Sequence, residues 1–126
     1  ATGGEDIVVE SIARLVEHYR DQLGVDVRFE SAPGLQISDR LATDLLGMVY
    51  EGLSNIRRHT TSTWARILLR MVDGELELLI ANERGQANGG NFIPRSLSER
   101  AAALGGTVDV DTARRGETLL RIRIPL

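Results

Sequence analysis

A chain of 126 residues, 42% hydrophobic and 26% charged, has the make-up of one ordinary globular domain. At this size folding leaves roughly 6,600 Å² exposed of about 20,000 Å², enough burial for one core and not for a second domain. The formal net charge of −3 argues against a nonspecific grip on nucleic acid or on acidic membranes.

Ile7, Val8, Ile12, Leu15, Val16, Tyr19 and Leu23 make one apolar stripe, which predicts a helix from about Glu5 to Gln22 stopped by Gly24. Val25, Val27 and Phe29 alternate with charged residues, the pattern of a half-buried strand ended by Pro33-Gly34. A second helix is expected from a Ser38 cap to about His59, burying Leu41, Leu45, Val49, Leu53 and Ile56. Two strands follow, Trp64 to Val72 and Glu75 to Ala81, joined at Asp73-Gly74 in a hairpin. The segment from Asn82 to Asn91 has no periodicity and reads as a loop. Ser96 with Glu99 three residues later has the form of a capping box, opening a short helix that ends at Gly105-Gly106. Val108 and Val110 mark a strand, Arg114-Arg115-Gly116 a turn, and Leu120, Ile122 and Ile124 a last strand stopped by Pro125. Three helices and about five strands pack most economically as a two-layer α/β sandwich, an α+β fold with a mixed, mostly antiparallel sheet.

With no cysteine, the chain has no disulfide, thiolate nucleophile or zinc-thiolate site. All 15 basic residues are arginine, so Schiff-base and Walker A chemistry are excluded. His18 and His59 form no metal motif, and His18 reads as a surface residue on the first helix. No stretch approaches the roughly 20 apolar residues of a membrane span, and the start lacks the order of a secretory signal. Chemistry concentrates in Glu51-Gly52-Leu53-Ser54-Asn55-Ile56-Arg57-Arg58-His59. Glu51, Asn55 and His59 are spaced by four and share one helix face, where a carboxylate and an amide one turn apart can hold a hard cation and orient a water. A solvated helix face has the same spacing.

This run resembles the N box of the ATP-binding domain of sensor histidine kinases, and more narrowly of those that pair with LuxR/NarL-type response regulators. Glu99-Arg100 followed by Leu104-Gly105-Gly106-Thr107, and the closing Thr118-to-Pro125 strand, extend the resemblance over nearly the whole chain. It implies the Bergerat ATP-binding fold shared with type II topoisomerases and heat-shock chaperones, the sheet covered on one face by three helices. It also implies ATP and Mg²⁺ as cofactors and transfer of the γ-phosphate to a histidine on a separate dimerisation domain. Carried over by position, Glu51 is the residue that polarises the attacking group and Asn55 the Mg²⁺ ligand. Arg58 and His59 are basic positions near the phosphates, His59 the nearer one and placed with Glu51 in the catalytic set.

The nucleotide-binding set implied by the resemblance is Asn55, Arg58, Asn82, Glu83, Gly85, Gly89, Gly90 and Thr118. Here the sequence departs from the pattern. Asn82 stands where the family has an adenine-binding Asp, and Arg84 and Gln86 stand at the two glycines that follow. A neutral amide in place of the carboxylate loses charge assistance on the order of 1 kcal/mol; Glu83 takes that role if the register slips by one. Asn91 and Ile93 occupy further glycine places, and Pro94 has no N–H. The alternative is a degenerate, non-catalytic module of the same fold, or an anti-sigma-like kinase, against which the Leu104-Gly105-Gly106-Thr107 tail counts. The resemblance further implies a cytoplasmic, monomeric domain without phosphoacceptor and dimerisation helices, not expected to autophosphorylate on its own, with no nucleic-acid or membrane contact.

Overall fold

The computed structural model describes residues 3–35, 37–59, 62–83 and 93–126, apart from the side chains of residues 3–7, Leu23 and His59. Among them the first apolar stripe forms helix α1 (Gly3–Leu23), which buries Val8, Ile12, Val16 and Tyr19. Gly24, at φ +65°, ends it by donating its N–H to the Arg20 carbonyl at 3.1 Å. Strand β1 (Asp26–Ser31) follows. Ser38 accepts the Leu41 N–H at 3.2 Å, the expected cap, and helix α2 (Asp39–His59) begins on the next residue. Strands β2 (Trp64–Val72) and β3 (Glu75–Glu83) meet at Asp73 and Gly74, whose φ values of 51° and 80° make the two-residue turn that suits a twisted hairpin. Helix α3 (Arg95–Ala103), strand β4 (Thr107–Asp111) and strand β5 (Glu117–Pro125) complete the order.

The sheet runs β1-β2-β3-β5-β4. Only β1 and β2, linked through α2, are parallel, and β5 inserts between β3 and β4 so that every other pair is antiparallel. Strand alternation sends Val27, Ala65, Ile67, Leu69, Leu76, Leu78, Ile80, Leu120, Ile122 and Ile124 to one face, all buried beneath the helices. This is the expected two-layer Bergerat-type sandwich. On the outer edge, the Arg20 Nε donates to the Val27 carbonyl at 2.7 Å, so a side chain takes an acceptor that β1 has no further strand to receive.

Two boundaries differ from the sequence-based expectation. Strand β3 runs two residues past Ala81, because Asn82 and Glu83 are still paired on β5 opposite Thr118 and Glu117. Pairing with β5, and for Asn82 with β2 as well, outweighs their loop-like composition, and the rest of the predicted loop, with Gly85, Gly89 and Gly90, lies outside the described residues. Helix α3 starts before Ser96, with Pro94 as its N-cap and no side-chain cap bond, so the capping box does not form. Glu99 instead faces Arg95 at 3.1 Å, one turn back.

The Leu104-Gly105-Gly106 run has a structural cause. Gly105, at φ +75°, donates to the Ala102 carbonyl at 2.9 Å, and Gly106 to the Ala101 carbonyl at 2.8 Å, the paired bonds that close a helix through a left-handed residue. At Gly106 a Cβ would collide with the Arg123 carbonyl oxygen of β5, a backbone atom that cannot step aside.

On the helix-free face, Glu77 is 0% exposed. It lies 2.6 Å from Arg70, 2.9 Å from Arg123 and 3.9 Å from Arg121, which also meets Asp109 and Asp111. Burial pushes the Glu77 carboxyl up, but the hydrogen bonds and charges of Arg70 and Arg123 outweigh it and hold the group below its usual value. A carboxyl lowered in the folded state stabilises the fold above the ordinary carboxylate range, about pH 4.3, and loses that contribution as the pH falls through it. In urea unfolding, the native chain should therefore lose more stability between pH 7 and pH 3 than Glu77→Gln does, and parallel losses would remove Glu77 from the acid limb. At neutral pH, Gly106→Ala should cost about 3 kcal/mol by overpacking against a fixed backbone. Gly74→Ala, with open space around it but positive φ, should cost only about 1 kcal/mol.

Candidate functional site

Helix α2 carries the first half of the site because Gly52 lets it rest on the sheet. A Cβ at Gly52 would stand 2.5 Å from the Ile80 Cδ1 of β3, so the absent side chain leaves the room that the Ile80 tip occupies. Glu51 and Asn55 flank this contact, both half-buried and one turn apart as the spacing predicted. The neighbouring stripe, Val49, Leu53 and Ile56, is buried. Tyr19 and Ser54 share a hydrogen bond at 2.9 Å that ties α1 to α2. Arg58 is exposed near the end of α2, and His59 is its last residue.

Strands β3 and β5 carry the second half. Asn82 lies two residues beyond Ile80, so it shares that residue's helix-facing side, and it is 8% exposed. Its Nδ2 donates to the Glu83 carbonyl at 2.9 Å, and among the described residues no donor reaches its Oδ1. A nearly buried amide with one oxygen unused is a hydrogen-bond acceptor waiting for a donor. Thr118 stands opposite Asn82 on β5, on the same face. Two candidates distant in sequence are thus brought side by side.

Glu83 is not brought with them. Alternation puts it on the opposite face, and its carboxylate accepts from the Thr63 N–H at 3.2 Å and the Thr63 hydroxyl at 3.4 Å. The Glu83 N–H donates to the Ser62 Oγ at 3.0 Å, so this residue closes the α2–β2 connection onto the end of β3. The one-residue slip that would exchange it for Asn82 does not occur, since β2–β3 pairing continues unbroken to Ala65 and Asn82.

Sequence reasoning missed two residues. Ser96, expected to cap α3, lies in its first turn and donates its hydroxyl to Glu51 Oε2 at 2.8 Å. Arg100, one turn on, places its Nε 4.0 Å from Glu51 Oε1. Its guanidinium lies over Gly47, where a Cβ would come within 2.9 Å of Nη1. Pro94 was the available signal, because a proline marks the start of a helix and so sets that start ahead of Ser96.

A depression of about 810 Å³ lies elsewhere, lined by Arg28, Arg66, Leu68, Leu119 and others. Register and alternation assign these four to the helix-free face, opposite Asn82 and Thr118. Trp64, at the start of β2, lies 5.3 Å from the Arg66 guanidinium, which also pairs with Glu117. Among the described residues no cluster of three or more His, Asp or Glu side chains could hold a metal ion. No described helix is long and apolar enough to cross a membrane.

No protein-family model matches the chain. It is 25% identical over 122 residues to the sensor histidine kinase LiaS of Bacillus subtilis, a match covering 93% of this chain and 34% of that protein. The chain therefore spans about a third of the curated relative it matches. Among solved structures, it superposes on the histidine kinase AdeS of Acinetobacter baumannii with a TM-score of 0.71 at 16% identity, over 95% of this chain and 64% of that one. The ATP-binding domain of PrrB from Mycobacterium tuberculosis gives 0.70 at 18% identity, over 92% of this chain and 91% of that one. The chain has the fold of histidine-kinase catalytic domains and is similar in sequence to a sensor histidine kinase.

Proposed function

We propose that this chain is the ATP-binding catalytic domain of a two-component histidine kinase, presenting the γ-phosphoryl group of ATP to a histidine on a separate dimerisation domain. The observation that carries the reading is the Asn82 Oδ1, unused among the described residues, beside Thr118 on the sheet face that α2 covers with Glu51 and Asn55. An acceptor in a nearly buried site suits the exocyclic amine of adenine. A single Asn ligand suits Mg²⁺, which takes few protein ligands and keeps water and phosphate oxygens for the rest, so the donor set fits. When bound, Mg·ATP supplies the phosphoryl group and neutralises charge on it.

The chain's own residues then divide the work. Asn82 and Thr118 would hold the base, Asn55 would ligate the metal, and Glu51 would accept a hydrogen bond from the attacking group. Arg58 and His59 are the cations assigned to the phosphates, the lysine-free sequence leaving only arginine and histidine for that role. Gly85, Gly89 and Gly90 are assigned to backbone contacts with the nucleotide. A LuxR/NarL-type response regulator is the downstream partner this reading names. The non-catalytic alternative draws support from Pro94, which caps α3 without an N–H to offer a phosphate.

Calorimetric titration with ATP, with and without Mg²⁺, separates the two. Asn55→Ala should weaken Mg²⁺-dependent binding about tenfold, a change of about 1.4 kcal/mol. Asn82→Ala should weaken binding about fivefold with or without the metal, as expected for one neutral hydrogen bond. Equal affinity for all three chains would remove both residues from the site, and no binding by any of them would favour the non-catalytic module.

A further inference from the structure

Helices α2 and α3 meet through two pairs of residues, each pair one turn apart. Ser96 meets Glu51, and Arg100 meets both Glu51 and Gly47. The rotation of α3 is set by Leu97 and Ala101, each 0% exposed, which turn Ser96 and Arg100 toward α2. Glu99, beside them on α3, is engaged with Arg95.

The two contacts are unequal. Ser96 is a short side chain with one rotatable bond before its hydroxyl, and at 2.8 Å it donates to a single oxygen, Oε2. Arg100 is long, half-exposed and 4.0 Å from Oε1, a distance for charge neutralisation and not for orientation. The Glu51 side chain is 30% exposed and would otherwise sample several rotamers.

We infer that Ser96 is a positioning residue for Glu51: by holding Oε2 it fixes the carboxylate so that Oε1 is the oxygen offered to the attacking group. This rests on the reading of Glu51 as the residue that polarises that group. Ser96 touches neither nucleotide nor acceptor in this role; it acts through Glu51.

The test compares the native chain with Ser96→Ala, Ser96→Thr and Glu51→Gln. Steady-state Mg·ATP hydrolysis, with water as the attacking group, gives kcat and KM. Side-chain couplings of Glu51 in an isotope-labelled sample report its rotamer without any turnover. Ser96→Ala should keep the native KM, lower kcat about five- to tenfold and average the Glu51 rotamer, as expected for loss of one solvent-exposed hydrogen bond. Ser96→Thr, which retains the hydroxyl, should restore both within about twofold. Unchanged kcat and a single native rotamer in Ser96→Ala, with Glu51→Gln inactive, would overturn the positioning role alone. Unchanged turnover in Glu51→Gln would overturn the reading of Glu51 itself, and the positioning role with it.

Discussion

The contact on which the molecule depends is the one between Gly52 and Ile80. Here one helical position has no side chain, and α2 settles onto β3 at that point. Glu51 lies directly before Gly52 and Asn55 three residues after, so both are carried close to the sheet. Ile80 is two residues before Asn82, so the strand that receives the helix also carries the acceptor. The same contact thus joins the helix that carries the metal-ligand candidate to the strand that carries the base-contact candidate. Leu45, Met48 and Val49, all 0% exposed, extend the same seam along α2.

The opposite face of the sheet follows from the arginine-only composition. An ammonium is a point charge, whereas a guanidinium is a planar fork that lies along a sheet and offers several donors. Glu77 is surrounded by three such groups, and Arg121 continues the network to Asp109 and Asp111 on β4. A buried carboxylate is costly unless its partners and hydrogen bonds are well placed. The cross-strand register supplies that placement, setting Arg70 opposite Glu77 on one side and Arg123 opposite it on the other. The helix-covered face is joined by apolar contact and its reverse by ion pairs, with one set of strands serving both.

Much of this architecture is legible in the amino-acid sequence alone. The hairpin at Asp73-Gly74 is readable because only a few residues accept two successive positive φ values. The Ser38 cap and the apolar stripe of α2 are readable because a helix repeats its environment every turn. Glu51 and Asn55 on one face follow from the same repeat. The departures from expectation share another cause. Asn82 and Glu83 sit in a polar run with no periodicity, and only pairing with β5, and with β2 at Asn82, makes them strand residues. Ser96 has the chemistry of a cap, but Pro94 takes that position and frees the hydroxyl for Glu51, far earlier in the chain.

The sequence by itself determined the kinds of element, most of their limits, the single core and the helix face that Glu51 and Asn55 share, because periodicity, turn chemistry and capping act over a few residues. The tertiary structure decided that β5 lies between β3 and β4, that Asn82 and Thr118 are neighbours, that Glu83 belongs to the α2–β2 connection, and that Ser96 belongs to Glu51. Those outcomes depend on which strands pair and how near two layers come. Both are settled by contacts among residues far apart in the chain, where local preference has nothing to say.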